Sequence, residues 1–407
     1  KGVMSVSKMI RKFWRMDFMK SKFAFSNIFI IGLVSLFIDM STEMVYPLIP
    51  LFLTTNLGAT PAIVGVIEGI AECTASFLKV FSGYIGDVYQ NKKKLTFIGY
   101  SAAIVYKVFL LLATSWTGVL AARVIDRIGK GIRVAPRDAL VEESSEKNKL
   151  GRSYGLHKML DMVGSALGVL LAYFIITNNV DFETAFLYSI IPAIIGVLMI
   201  GGLQEKSDGK RDVQKFALKG VQLDRRLKLY LGAMFIFCLG NSSNVFLLLR
   251  AKDCGFSPSQ VILLYLAFNV SASLLSMFAG KLSDKVGRRR IIVPGYLVFA
   301  FVYLGFGLLS NKMAIIILFI AYGVYTAFNT AAERAFIAET APANLKGTVL
   351  GLYGMLQGVG LLLSSIIAGL LWDYVDPSAP FLFGGIVGFV SAIAITFILG
   401  EDRERTA

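Results

Sequence analysis

Twelve times between residues 24 and 400 the sequence runs through a largely apolar stretch of about twenty residues or more, each long enough to cross ~30 Å of hydrocarbon as a helix. The runs cover approximately 24–52, 60–84, 95–114, 117–141, 153–176, 183–203, 229–249, 259–282, 291–310, 313–340, 347–372 and 379–400, numbered below as spans 1 to 12. Hydrophobicity is continuous within each run and does not alternate, which argues for helices and against a β-barrel. Composition agrees: 56% of the 407 residues are hydrophobic and only 17% are charged, against roughly a quarter charged in soluble proteins. The fold class expected is an all-α membrane protein with twelve transmembrane helices.

A formal charge of +14 raises the question of nucleic acid, and the placement of the charges answers it. Lys and Arg crowd into the N-terminal segment, into Lys92–Lys94, into the middle segment and into the run ending at Arg290, which are alternate connections. The intervening loops are short and almost free of them. This is a positive-inside pattern, placing both termini and the middle segment in the cytoplasm, with anionic lipid headgroups as partner and no nucleic acid. It predicts a multi-pass protein of the plasma membrane. Ile10, Phe13 and Trp14 share one side of a basic segment over 8–23, which predicts a helix lying on the inner leaflet. Cys73, Cys238 and Cys254 lack metal-ligand spacing, so no metal site, disulfide framework or cofactor is expected.

The chain repeats itself. Residues 82–94 match 279–290 at an offset of 197, while 135–144 and 154–164 match 331–340 and 350–360 at an offset of 196. The domain organisation predicted is an amphipathic segment (1–23), a six-helix bundle (24–203), a linker (204–228), a second six-helix bundle (229–400) and a tail (401–407). Gly280, Asp284, Lys285, Gly287, Arg288 and Arg289 resemble the loop motif of the major facilitator superfamily; the first half keeps Gly83, Asp87 and the basic run Lys92–Lys94 but has Val88, Gln90 and Asn91 where the motif has a basic residue, glycine and arginine. The resemblance extends over 24–400. It implies two pseudo-symmetric bundles rocking about a midplane site and secondary transport of a small-molecule substrate, the working unit being read as a monomer. Physically, such an aspartate can sit at a neighbouring helix N-terminus and accept from Arg or Lys, latching one closed state. Gly83, Asp87, Gly280, Asp284 and Arg288 are therefore candidate gating residues, with Arg137, Asp138, Glu333 and Arg334, whose charges are reversed at matched positions of the two halves.

Ionisable residues inside a membrane are the strongest functional pointers. Asp39 and Glu43 stand one turn apart on one face of span 1, ahead of Pro47 and Pro50, which bend or loosen the helix. In the fold the resemblance implies, spans 1, 4, 7 and 10 line the central cavity. Carboxylates held away from water suit proton exchange, so Asp39 and Glu43 are candidate coupling residues. His157 and Asp161, one turn apart on span 5, are a second candidate proton pair; satisfied structural roles are the alternative. Arg123, which matches the family's intramembrane arginine, and Arg127 are expected in the cavity, either pairing with Asp39 or Glu43 or holding an anionic substrate group. Asp126 and Lys130 are spaced to satisfy each other. Asn241 and Asn244 on span 7 offer hydrogen bonds to substrate. Glu68, Glu72, Lys79 and Lys107 complete the set, Lys107 as a structural residue. Gly164 and Gly168 sit where the family's drug exporters carry a glycine and proline signature, but no proline accompanies them.

The leading expectation is a proton-coupled transporter exporting by antiport. A symporter importing an anionic or zwitterionic metabolite or metal chelate is the alternative, and a non-transporting receptor or membrane-embedded enzyme the different-class one. The sequence has no phosphate-binding P-loop and no nucleophile or metal constellation, so neither a nucleotide-driven motor nor an enzyme is expected.

Overall fold

The computed structural model describes residues 22–88, 91–145, 150–204, 223–342 and 346–399. The tail at 401–407, most of the amphipathic segment at 8–23 and most of the linker lie outside them. Among the described residues every regular element is helical. Eleven helices or broken helices are long and apolar enough to cross a membrane. The twelfth, Trp116–Ser144, has the same length but carries Arg123, Asp126, Arg127, Lys130 and Arg133 along it. The protein is thus a twelve-helix, two-bundle membrane fold.

Several helices reach further towards the basic-loop side than hydropathy indicates. Span 2 is Pro61–Val88 and span 8 is Pro258–Val286, so Gly83, Asp87, Gly280 and Asp284 belong to the last turns of helices and not to loops. The side chains of Asp87 and Asp284 are outside the described set. Span 7 begins at Arg225, four residues before the expected 229. Its basic residues can extend their stems along the helix while keeping their charges at the interface.

Spans 1 and 7 are broken at the middle of the bundle. Span 1 is an α-helix over Lys22–Glu43, a 3-10 turn at Tyr46–Leu48 and a short helix over Ile49–Thr55, with Pro47 and Pro50 following the break. Span 7 stops at Gly240 and resumes at Val245 without any proline. Non-helical backbone at membrane depth must find partners within protein. It finds them on span 11 (Lys346–Tyr374), where Ser364 Oγ donates to the Asn241 carbonyl at 3.0 Å and Ser365 Oγ accepts from the Ser243 amide at 3.3 Å.

Spans 2 and 11, one from each bundle, form the most extensive helix pair among the described residues. Gly65 and Gly369 make this possible, since a Cβ at either would run into backbone of the facing helix. At the end opposite the basic loops the halves are also tied by Asp373, whose Oδ2 accepts from the Ala62 amide at 3.1 Å, and by Lys252, which donates to Thr54 at 3.2 Å.

The internal repeat is visible as matched chemistry. Lys92 pairs with Glu143, and 196 positions further on Arg288 pairs with Glu339 at 2.6 Å. The repeat slips by one residue across the loop, so Lys92 does what Arg288 does. Asn91 stands where the motif has arginine, and Lys92, from the basic run that the first half keeps, makes the matching ion pair.

Candidate functional site

The first half holds a cavity of about 180 Å³ between spans 1, 2, 4 and 8. Asp39, Thr42, Glu43 and Tyr46 line it from span 1 and its break, Glu72 from span 2, and Asp126, Arg127, Lys130 and Arg133 from span 4. Tyr265 on span 8 is the contribution of the second half, and its hydroxyl donates to Glu43 Oε2 at 3.0 Å. The break in span 1 puts Glu43 at a helix end, where its carboxylate meets the other bundle directly.

Behind the cavity runs a buried ladder of ion pairs. Arg123 Nε and Nη2 donate to the two carboxylate oxygens of Glu68 at 2.9 and 2.6 Å, with both side chains essentially inaccessible. Arg127 pairs with Glu72 at 2.7 Å and with Asp126 at 3.2 Å. Arg123 is therefore not a cavity residue, and neither arginine pairs with Asp39 or Glu43 as expected from the sequence. The reason is geometric: Glu68 and Glu72 are one turn apart on span 2, Arg123 and Arg127 one turn apart on span 4, and the spacings register. Asp126 likewise takes arginines in place of Lys130. No carboxylate among the described residues lies within ion-pair distance of Lys130. Arg133 stacks on Tyr100, 4.6 Å from the ring centroid, and its Nη1 is buried without a hydrogen-bond partner.

Span 5 (Leu150–Thr177) packs closely on span 1 because Gly164 and Gly168 face the carbonyls of Leu36 and Met40 with no room for a side chain. This crossing packs span 5, which carries Asp161, onto span 1, which carries Asp39. Asp161 pairs with Lys158 at 2.8 Å. His157 turns elsewhere and shares a 2.9 Å bond with Ser35, which in turn lies 3.3 Å from the Tyr100 hydroxyl. His157 and Asp161 are thus separately satisfied, and no hydrogen bond joins them.

The second half has no comparable charge cluster among the described residues. Asn241 and Asn244, in the break of span 7, accept from Tyr303 and Tyr322, with Tyr322 to Asn244 at 3.0 Å. Glu333 is buried and accepts from the Tyr353 hydroxyl at 2.6 Å, itself a partner of Gln357 at 2.6 Å. Arg137 pairs with its neighbour Asp138 at 2.8 Å. The reciprocal pairing of Arg137 and Asp138 with Glu333 and Arg334 across the halves is therefore not formed: a buried carboxylate takes the nearest donor, here a tyrosine on span 11.

The family profile described as Major Facilitator Superfamily matches residues 31–248 and 229–407. The MFS-type transporter MJ1317 of Methanocaldococcus jannaschii is 31% identical over 379 residues, covering 91% of this chain and 94% of its own. The multidrug resistance protein MdtH of Salmonella newport is 23% identical over 376 residues, covering 88% and 91%. Among solved structures, a variant of the nucleoside transporter NupG superposes with a TM-score of 0.79 at 13% identity, covering 91% of this chain and 99% of the other.

Proposed function

The chain belongs to the major facilitator superfamily, and from that premise we propose that it is a proton-coupled secondary transporter of a small organic solute, working by alternating access in a cytoplasmic membrane with its basic loops inside. The observation that carries this reading is the cavity wall formed by Asp39 and Glu43. Both carboxyls face the cavity and Glu43 is bound across the halves by Tyr265, so the ionisable wall and the contact between the bundles involve neighbouring groups on one helix. A change of proton occupancy at this wall alters the charge that the second bundle and a bound solute meet, which is the differential contact that a shift between two states requires. Export by antiport is the direction proposed, supported by the likeness to MdtH over most of both chains. Arg127 serves the site as a cavity residue, and Arg123 supports it from behind.

The test is transport in proteoliposomes under an imposed pH gradient, using a solute selected by thermal-shift screening of metabolites. Asp39→Asn and Glu43→Gln, made separately, are expected to lose gradient-driven accumulation while at least one retains exchange of labelled for unlabelled solute. Full gradient-driven transport by both variants refutes the coupling assignment.

A further inference from the structure

The cavity carries charges of both signs that do not neutralise one another. On one wall are Glu43 and Asp39, and on the wall from span 4 are Lys130 and Arg133. They line one small space, yet among the described residues no ion pair within 4 Å joins either carboxylate to either basic group. Opposite charges facing one cavity inside a membrane gain most by closing on each other; where the fold holds them apart, they present two complementary poles to whatever enters. Arg133 is 6% exposed and its buried Nη1 makes no hydrogen bond, and Thr42 Oγ1 beside Glu43 is also unpartnered. The remaining cavity charges are engaged within the ladder, Arg127 with Glu72 and Asp126, so they leave the two poles unbalanced only toward each other.

We propose that the solute is a small zwitterion of amino-acid size, its ammonium group held at Glu43 and Asp39 and its carboxylate at Lys130 and Arg133. This rests on the reading of the cavity as the transport site and adds the substrate class. A lone cation would meet two uncompensated positive groups, and a lone anion two carboxyl groups; a zwitterion satisfies both walls. Size points the same way. The space is about 180 Å³, below the ~300–1,000 Å³ of sites for drug-sized ligands.

The experiment measures thermal stabilisation of the purified full-length chain by glycine, β-alanine and 4-aminobutyrate, whose charge separation grows by one methylene at each step. Each is compared with its methyl ester, which keeps only the cation, and its N-acetyl form, which keeps only the anion. At least one zwitterion is expected to stabilise the protein, with an apparent affinity tenfold or more above its own ester and N-acetyl forms. Glu43→Gln should move the preference towards the N-acetyl form, and Lys130→Gln towards the ester. The proposal is overturned if an ester or N-acetyl form binds the wild-type chain as well as the zwitterion, or if no zwitterion binds; these outcomes need no variant and leave the carboxylate coupling reading standing. Zwitterion binding that neither substitution alters overturns it as well, and removes the cavity from the functional reading altogether.

Discussion

Substituting Arg123 by Met separates a structural arginine from a substrate-binding one. Its guanidinium makes two hydrogen bonds to Glu68, at 2.9 and 2.6 Å, in a position with no solvent access. Removing it leaves the Glu68 carboxylate charged and uncompensated inside the bundle, a loss of about 3–5 kcal/mol. Asp126 is not orphaned, because Arg127 remains 3.2 Å away, so the cost is confined to Glu68. Glu68→Gln alone should cost less, since the guanidinium keeps Asp126 at 3.9 Å as a second partner. The double variant Arg123→Met/Glu68→Gln removes both charges and should come back to within about 1 kcal/mol of the wild type, as replacement of buried pairs by neutral residues often does. The assay is unfolding by SDS in mixed micelles followed by circular dichroism, with solute transport measured on the same preparations. An Arg123→Met variant within 1 kcal/mol of the wild type, or a double variant as unstable as the sum of the singles, refutes the buried-pair argument. A stably folded double variant that no longer transports would return Arg123 to the substrate.

Gly369→Leu forces a side chain into the Ala62 backbone of span 2, so spin labels at Thr60 and Tyr374 should show longer separations in double electron–electron resonance; an unchanged distribution counts against that contact as the closure. Ser364→Ala removes the donor to the Asn241 carbonyl and should destabilise the protein by about 1 kcal/mol, read in the same SDS titration, with hydrogen exchange rising around the break of span 7. In the loop between spans 11 and 12, hydrogen bonds from Ser378 hold the Asp376 carboxyl below its ordinary range. A depressed value means that this turn is stabilised at neutral pH and loosens as pH falls through the folded-state value, so intrinsic-rate-corrected protection of the Ser378 amide should drop only in acid; protection that is flat across the acid range contradicts this.

The span count, the two halves and the basic loops follow from hydropathy and charge placement, because the bilayer leaves a chain few alternatives. The cavity was legible through Asp39, Glu43 and Arg127, since charges at membrane depth must face protein or water. The pairing was less so. Glu68 with Glu72 and Arg123 with Arg127 share one-turn spacing, a signal present in the sequence, but its meaning depends on spans 2 and 4 lying side by side. The basic run Lys92–Lys94 was visible, but the equivalence of Lys92 to Arg288 was not, because the repeat shifts by one position within the loop, which alignment at a single offset hides. Tyr265 is one tyrosine among sixteen until the fold sets it against Glu43. The break in span 7 has no proline to announce it; it depends on Ser364 and Ser365, over a hundred residues away.

That difference between the two broken helices has a mechanical meaning. Pro47 and Pro50 have no N–H to return to the helical ladder, so the bend in span 1 is permanent and the charged bundle keeps one shape. Residues 241–244 keep all their amides, and the bend in span 7 lasts only while span 11 holds it. The second bundle is therefore the compliant partner: a displacement that draws span 11 away from span 7 lets four residues rewind, taking up slack in a rod whose far end, at Lys252, is fastened to the tip of span 1. Elastic give and electrical charge reside in opposite halves, as in a switch whose spring and contacts are separate parts.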